Sequence, residues 1–237
     1  MSYEAFAYYY DSLMDQDFYN DYIKFINDHV DVYQTVLELG CGTGEIAIRL
    51  ANQGKQVCAT DISKDMLEVA KYKSIDFKAD VMLSRIDMCD FAVDSQVDLI
   101  LCLCDSLNYV IDLKDIKKAF INTYQALKKD GTFIFDIDSM YKMEEILKNY
   151  DEENDEDDFY FHWHVDHLSK GYVKHSVEII DKEENDRVYE EHFQKTYDIE
   201  IYLQLLKEVG FKNVELYSDF SKYNEECERI IFVCKKG

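Results

Sequence analysis

The stretch Val36–Ala51, "VLELGCGTGEIAIRLA", constrains the fold more than any other part of the chain. A short apolar strand runs directly into three glycines, Gly40, Gly42 and Gly44, and an apolar helical pattern follows. Glycine admits positive φ and lets a backbone come close to whatever lies on it. The N–H groups exposed at a helix start favour a carboxylate or another anion. The spacing is G-x-G-x-G, with Glu45 next, and not the G-x-G-x-x-G of dinucleotide-binding loops. A second acid in the first helical turn makes a pyrophosphate a poor guest.

The alternation continues. "QVCATDI" reads as a strand and "SKDMLEVAKY" as a helix with Ser63 as N-cap. A third strand falls between Ile75 and Ile86. "VDLILCLC" is a continuous apolar run, the pattern of a strand buried on both faces of a parallel sheet. "LKDIKKAFINTYQALKKDG" is an amphipathic helix ending at Gly131, and "TFIFDI" is another buried strand. Strand and helix at this spacing imply right-handed βαβ units and an α/β doubly wound, Rossmann-like, mostly parallel seven-stranded sheet. Ligands of such sheets sit beyond the C-terminal strand ends. Here those ends are Leu39–Gly40, Asp61, Leu103–Asp105 and Asp136–Asp138.

The pattern breaks after Ile146. "DEENDEDD" (151–158) reads as a solvated or mobile loop. "FYFHWHVDHL", "GYVKHSVEIID" and "RVYEEHFQKTYD" alternate like strands, separated by "SKG" and "KEEND" turns. This predicts an antiparallel flap of about three strands that covers the substrate. "IEIYLQLLKEVGF" returns to helix and "RIIFVCKK" closes the chain as a strand. The predicted organisation is N-terminal helices and ligand-binding core over 1–148, an inserted flap over 149–197, and the last core helix and strands over 198–237.

Composition narrows the function. With 237 residues, 47% apolar, the chain can bury a sizeable core. A formal charge of -23 with no basic patch opposes nucleic acid and anionic membrane surfaces. Seven cysteines without a C-x-x-C pair, several in apolar strands, suit a reducing compartment and not a disulfide or zinc framework. No export signal or membrane-length apolar run occurs, so a cytoplasmic protein is expected, as monomer or homodimer, without a metal.

Asp61 lies 21 residues after Gly40, at the end of the second strand. A carboxylate there can accept both hydroxyls of a ribose. With it, the ordered set "VLELGCGTG", "ATDISKDML", "IDMCDF", "LCLCDSLNYV" and "LKKDGTFIFDID" resembles the class I S-adenosylmethionine-dependent methyltransferases. The resemblance is greatest to small bacterial members with a "YD" N-terminal helix and an antiparallel insertion, similar in plan to glycine and sugar N-methyltransferases. It covers roughly residues 5–145, and the flap only by architecture.

That resemblance implies S-adenosylmethionine as cofactor and a set of roles. Gly40, Gly42 and Gly44 would cradle its methionine part, with Glu38 beneath the loop and Cys41 within it. Asp61 would hold the ribose and Ile62 would pack on the adenine, with Met66 in the same set. Asp87 would accept from the adenine amino group and Met88 would offer a backbone donor. Leu103 would give a carbonyl to the methionine ammonium, and Tyr10 would close the cofactor from the N-terminal helix. Asp80 is the alternative to Asp87; the 11 residues from Asp87 to Asp98 match the family spacing. "LKKDG" stands where the family has Lys-Pro-Gly-Gly, a turn that Asp130–Gly131 can also make.

The activity expected is in-line methyl transfer to the nitrogen or oxygen of a small molecule. Alignment supplies most of the acceleration, and a base is needed only where the acceptor keeps a proton. Candidates near the methyl are Tyr10, Asp105, Asn108 and Tyr109. His162 and His164 share one strand face with Trp163 opposite, and His167, His175 and His192 follow in the flap. Alternatives are an RNA or protein methyltransferase, a non-catalytic S-adenosylmethionine-binding module, or a nicotinamide dehydrogenase of the same general fold.

Overall fold

The computed structural model describes residue 7 and residues 16–155, 159–183 and 186–237. Tyr10 lies outside the described residues. Helix α1 (Gln16–His29) turns Tyr19, Tyr22, Ile23, Phe25 and Ile26 inward. Then follow β1 (Thr35–Leu39), α2 (Glu45–Asn52), β2 (Gln56–Asp61), α3 (Lys64–Asp76), β3 (Val81–Arg85) and β4 (Val97–Cys102). A 3-10 turn (Ser106–Tyr109) leads to α4 (Leu113–Ala126) and β5 (Leu127–Asp138). Strands β6 (Asp151–Asp155), β7 (Phe159–Ser169), β8 (Tyr172–Asp181) and β9 (Asp186–Lys195) precede α5 (Ile199–Val209), β10 (Asn213–Ser218), β11 (Ser221–Lys222) and β12 (Arg229–Lys235).

The main sheet has the order β11-β10-β12-β5-β4-β1-β2-β3. Its central pairings are parallel, and β12 inserts antiparallel between β5 and β10. The seven expected strands are present, and the two-residue β11 adds an eighth. Chain order reverses between β1 and β4, so the crevice opens beyond Leu39 and Cys102.

The apolar runs divide by their period of two. Val36, Leu99, Leu101, Ile134 and Ile231 pack with α1 and α2 on one face. Leu37, Ile100, Phe133, Phe135 and Phe232 pack on the other with α4 and α5. A strand sandwiched between helices has no polar face to show, which is why these segments read as unbroken hydrophobic runs.

Three expectations are corrected. Helix α4 ends at Ala126 and not at Gly131: Leu127 turns extended, and a Cβ on Gly131 would meet the Lys128 and Asp98 carbonyls at 3.0 and 3.1 Å. The acidic run is not a loop over residues 151–155. It is edge strand β6, paired antiparallel with β7. Its charges are met across the strands: His162 Nε2 lies 2.6 Å from Asp151 Oδ1, and Tyr160 donates to Glu153 at 3.1 Å. The antiparallel sheet therefore has four strands, β6-β7-β8-β9, instead of about three.

Candidate active site

The glycine loop is built as the sequence requires. Gly40, Gly42 and Gly44 have φ of +68°, +51° and +83°, the left-handed region where side chains are strained. A Cβ on Gly40 would lie 2.7 Å from the Ser106 side chain. Ser106 Oγ stands 3.0 Å from the Gly40 carbonyl and 2.8 Å from that of Leu103, tying the loop to the end of β4. A Cβ on Gly42 would meet no atom of the described residues within 4 Å.

Two carboxylates lie against this loop. Asp61 accepts from the N–H groups of Gly42 and Ser63, each at 2.8 Å, while burial pushes its carboxyl up. Ser63 caps α3 by accepting from Met66 N at 3.3 Å. Glu38 is 3% exposed and pushed up to about 8, first by burial and then by the Asp61 charge, against a backbone hydrogen bond from Ala47. Its Oε2 has no hydrogen-bond partner among the described residues. Cys41 is buried in the loop, its N–H donating to Thr60 O at 2.9 Å and its thiol pushed well up by burial.

The other expected cofactor residues spread along the same strand ends. Ile62 presents a 60% exposed side chain beside Asp61. Met66 packs against the inner cluster of the antiparallel sheet. Asp87 and Met88 follow the C-terminal end of β3, on the crevice side, whereas Asp80 precedes its N-terminal end. Met88 Cε would lie 3.6 Å from a Cβ on Gly40. Leu103 is buried immediately after β4.

Beyond Leu103 the chain makes a strained corner. Cys104 and Asp105 both have positive φ, 56° and 53°. Their N–H groups donate to Asp136 Oδ2 and Oδ1 at 3.0 and 2.6 Å. Asp136 is fully buried and also accepts from the Tyr22 hydroxyl. Arg229 completes the knot, 3.1 Å from Asp136 and 3.3 Å from Asp105. Asp105 is therefore already bound to a cation. Its Oδ2 accepts from Gln194 of β9 at 2.6 Å, which pins the antiparallel sheet to the core. Asn108 adds a second tie, donating to Lys195 O at 2.9 Å and accepting from Asp138 N at 2.8 Å. Asp138, pushed to about 6 by burial, pairs with Lys142 at 2.9 Å.

Tyr109 stands where these parts meet. The residue is half-exposed. Desolvation, then the charges of Asp105, Asp138, Glu190 and Asp61, push its phenol up. Its ring packs edge-on to His192, centroids 5.9 Å apart.

The pleat of the antiparallel sheet sorts the flap residues. His162 and His164 point outward with Asp166, and Asp151 lies within 3.7 Å of both. No group of three metal-ligating side chains occurs among the described residues. Trp163, His175, Glu190, His192 and Gln194 belong to the inner face. Trp163 Nε1 donates to His175 Nδ1 at 3.0 Å, and burial lowers the His175 pKa to about 4.

A model of the methyltransferase domain family matches residues 36–131, from β1 through the start of β5. A methyltransferase-family protein of Geobacillus sp. (strain WCH70) is 34% identical over the full length of both chains. A second, YqeM of Bacillus subtilis (strain 168), is 32% identical over all of this chain and 98% of its own. A solved S-adenosylmethionine-dependent methyltransferase from Clostridium acetobutylicum superposes with a TM-score of 0.88 at 30% identity, covering 99% of each chain. The chain belongs to the class I S-adenosylmethionine-dependent methyltransferases.

The residues of this methyltransferase fit its cofactor. Among the described residues, the unmet oxygen of buried Glu38 and the uncrowded Gly42 offer one polar partner and one bare stretch of backbone. The sequence reading missed Arg229, Glu190 and Gln194. Arg229 carried no local signal, since its partner Asp105 lies 124 residues away. Glu190 and Gln194 were readable: the alternation in "RVYEEHFQK" puts Val188, Glu190, His192 and Gln194 on one face.

Proposed function

We propose that this methyltransferase methylates a nitrogen or oxygen of a small molecule held between Tyr109 and the inner face of the antiparallel sheet. The observation that carries the reading is the Gln194–Asp105 contact, which fixes a polar sheet face directly beyond the β4 and β5 ends. The charge of -23 supports a small acceptor over RNA. No helix among the described residues is long and apolar enough to cross a membrane, and the free cysteines support work in the cytoplasm.

In this reading Gly40, Gly42 and Gly44, with Cys41 among them and Glu38 below, hold the methionine part of the cofactor. Asp61 takes the ribose, Ile62 and Met66 line the adenine, and Leu103 offers a carbonyl to the ammonium. The position of Asp87 past β3, with Met88 beside it, supports it over Asp80 as the adenine partner. Tyr10 closes the site in the family-derived assignment. When bound, S-adenosylmethionine supplies an electrophilic methyl on a sulfonium. The chain's residues align an acceptor with it, exclude water, and hold Tyr109 at the junction, so positioning carries most of the acceleration.

The test is production of S-adenosylhomocysteine with a panel of small amines and hydroxyl compounds, followed by mass spectrometry. A gain of one methyl on a panel member supports the reading. Turnover on RNA or protein, with none on small molecules, overturns it.

A further inference from the structure

Charge on the inner face is unbalanced. Among the described residues, four carboxylates, Asp105, Asp136, Asp138 and Glu190, gather at the crevice against two permanent cations, Arg229 and Lys142. Arg229 is shared by Asp105 and Asp136, and Lys142 is taken by Asp138. Glu190 meets no Lys or Arg among the described residues: its side chain is 8% exposed and its ion-pair partner is a histidine, His192, 3.1 Å away. Its Oε2 makes no hydrogen bond among the described residues. A buried carboxylate that no permanent cation meets is costly, and it persists where something cationic completes it. His175, opposite His192 in the β8–β9 register, does not restore the balance, because burial keeps it neutral. The Glu190 charge reaches Tyr109, which also senses Asp61 from the cofactor end. Geometry places it there as well: Glu190 lies 3.1 Å from His192, whose ring packs edge-on to Tyr109 with centroids 5.9 Å apart.

We propose that the methyl acceptor enters as a small organic ammonium ion, that Glu190 is the carboxylate that receives it beside Tyr109, and that one ammonium N–H proton passes to the Glu190 carboxylate, freeing the nitrogen lone pair to take the methyl. This rests on the small-molecule reading above and selects amines from its nitrogen and oxygen acceptors. A neutral hydroxyl compound would leave the Glu190 charge uncompensated. Selection then comes from the unmet charge more than from added contacts.

Trp163 is the single tryptophan and lies on the same face, so its emission reports occupancy. The experiment titrates the S-adenosylhomocysteine-loaded protein with propylamine and glucosamine, and with 1-propanol and glucose as neutral counterparts. The ammonium probes are expected to change Trp163 emission saturably and the neutral ones not. Glu190→Gln should weaken the ammonium response about ten-fold or more, the loss of one charge-assisted hydrogen bond. Glu191→Gln, on the outer face against Lys174, should leave it unchanged. Equal response to the neutral probes, undiminished binding by Glu190→Gln, or no saturable response to either ammonium overturns the proposal. The amine–alcohol comparison on the unaltered protein stands even where a variant folds poorly. Calorimetry with S-adenosylmethionine beforehand separates the failures: cofactor binding without an ammonium response sinks only this proposal, and no cofactor binding sinks the assignment of the site beneath it.

Discussion

The glycine-loop end of the core and the inner face of the antiparallel sheet meet at Tyr109, but they are built differently. At the loop, side-chain carboxylates are gripped by backbone: Asp61 by Gly42 and Ser63, Glu38 by Ala47. On the sheet, polar side chains are held by other side chains: Trp163 with His175, Glu190 with His192, Gln194 with Asp105. Backbone donors cannot be mutated away, and they suit a cofactor common to a family. Side-chain partners change with single substitutions, and they suit an acceptor that differs between members.

The two regions should respond oppositely to pH, and Glu38 gives the largest effect. Its folded pKa of about 8 lies above the ordinary carboxylate value, so the folded state holds a proton that the unfolded chain releases. Stability then falls as pH rises from about 4.5 to 8, by at most about 5 kcal/mol. Urea unfolding of Glu38→Gln at pH 5 and pH 8.5 should lack that loss. An unchanged slope would show that Glu38 ionises freely.

Next is the corner that joins the regions. Arg229→Met removes the one cation shared by Asp105 and Asp136 and should cost about 3–5 kcal/mol. Adding Asp136→Asn should recover part of it. A drop in melting temperature that the second substitution deepens would mean that the arginine acts through packing alone.

On the sheet side the sign reverses. The His175 pKa of about 4 lies below its ordinary value, so the unfolded chain binds the extra proton. The contribution is complete above about pH 6.5 and is lost as pH falls toward 4, about 3 kcal/mol in all. His175→Gln, which can still accept from Trp163, should flatten this part of the acid limb. If both proteins lose stability in parallel, other groups carry the acid transition.

The outer face should matter least. Asp151→Ala removes the neighbour of His162 and His164 where solvent screens all three. Its melting temperature should move by less than about 2 °C. A larger fall would mean that β6 is held by this cluster and not by its backbone pairing with β7.

Much of the core was legible because its signals are local. The glycines, Asp61 and the Ser63 cap lie within one βα unit, and spacing alone fixes their geometry. The buried strands announced themselves because helices cover both faces. What failed was non-local. Asp151–Asp155 reads as a solvated loop until β7 supplies histidines and a tyrosine across the pair. The end of α4 at Ala126 has no Gly or Pro beside it to announce it, and Gly131 lies within β5. Asp105 is a candidate near the methyl by sequence, and its contact with Arg229 of the last strand is visible only in the fold. Glu190 was concealed differently: the alternation placed it, but only the pairing of Asp105, Asp136 and Asp138 with Arg229 and Lys142 leaves it with a histidine alone.

The division between the two regions rests on the role proposed for Asp61 in holding the cofactor, and isothermal titration of S-adenosylmethionine into the unaltered protein and Asp61→Ala tests it most directly. Losing two charge-assisted hydrogen bonds of about 1.5–3 kcal/mol each should weaken binding roughly hundred-fold or more. Equal affinity in the two proteins would contradict the account.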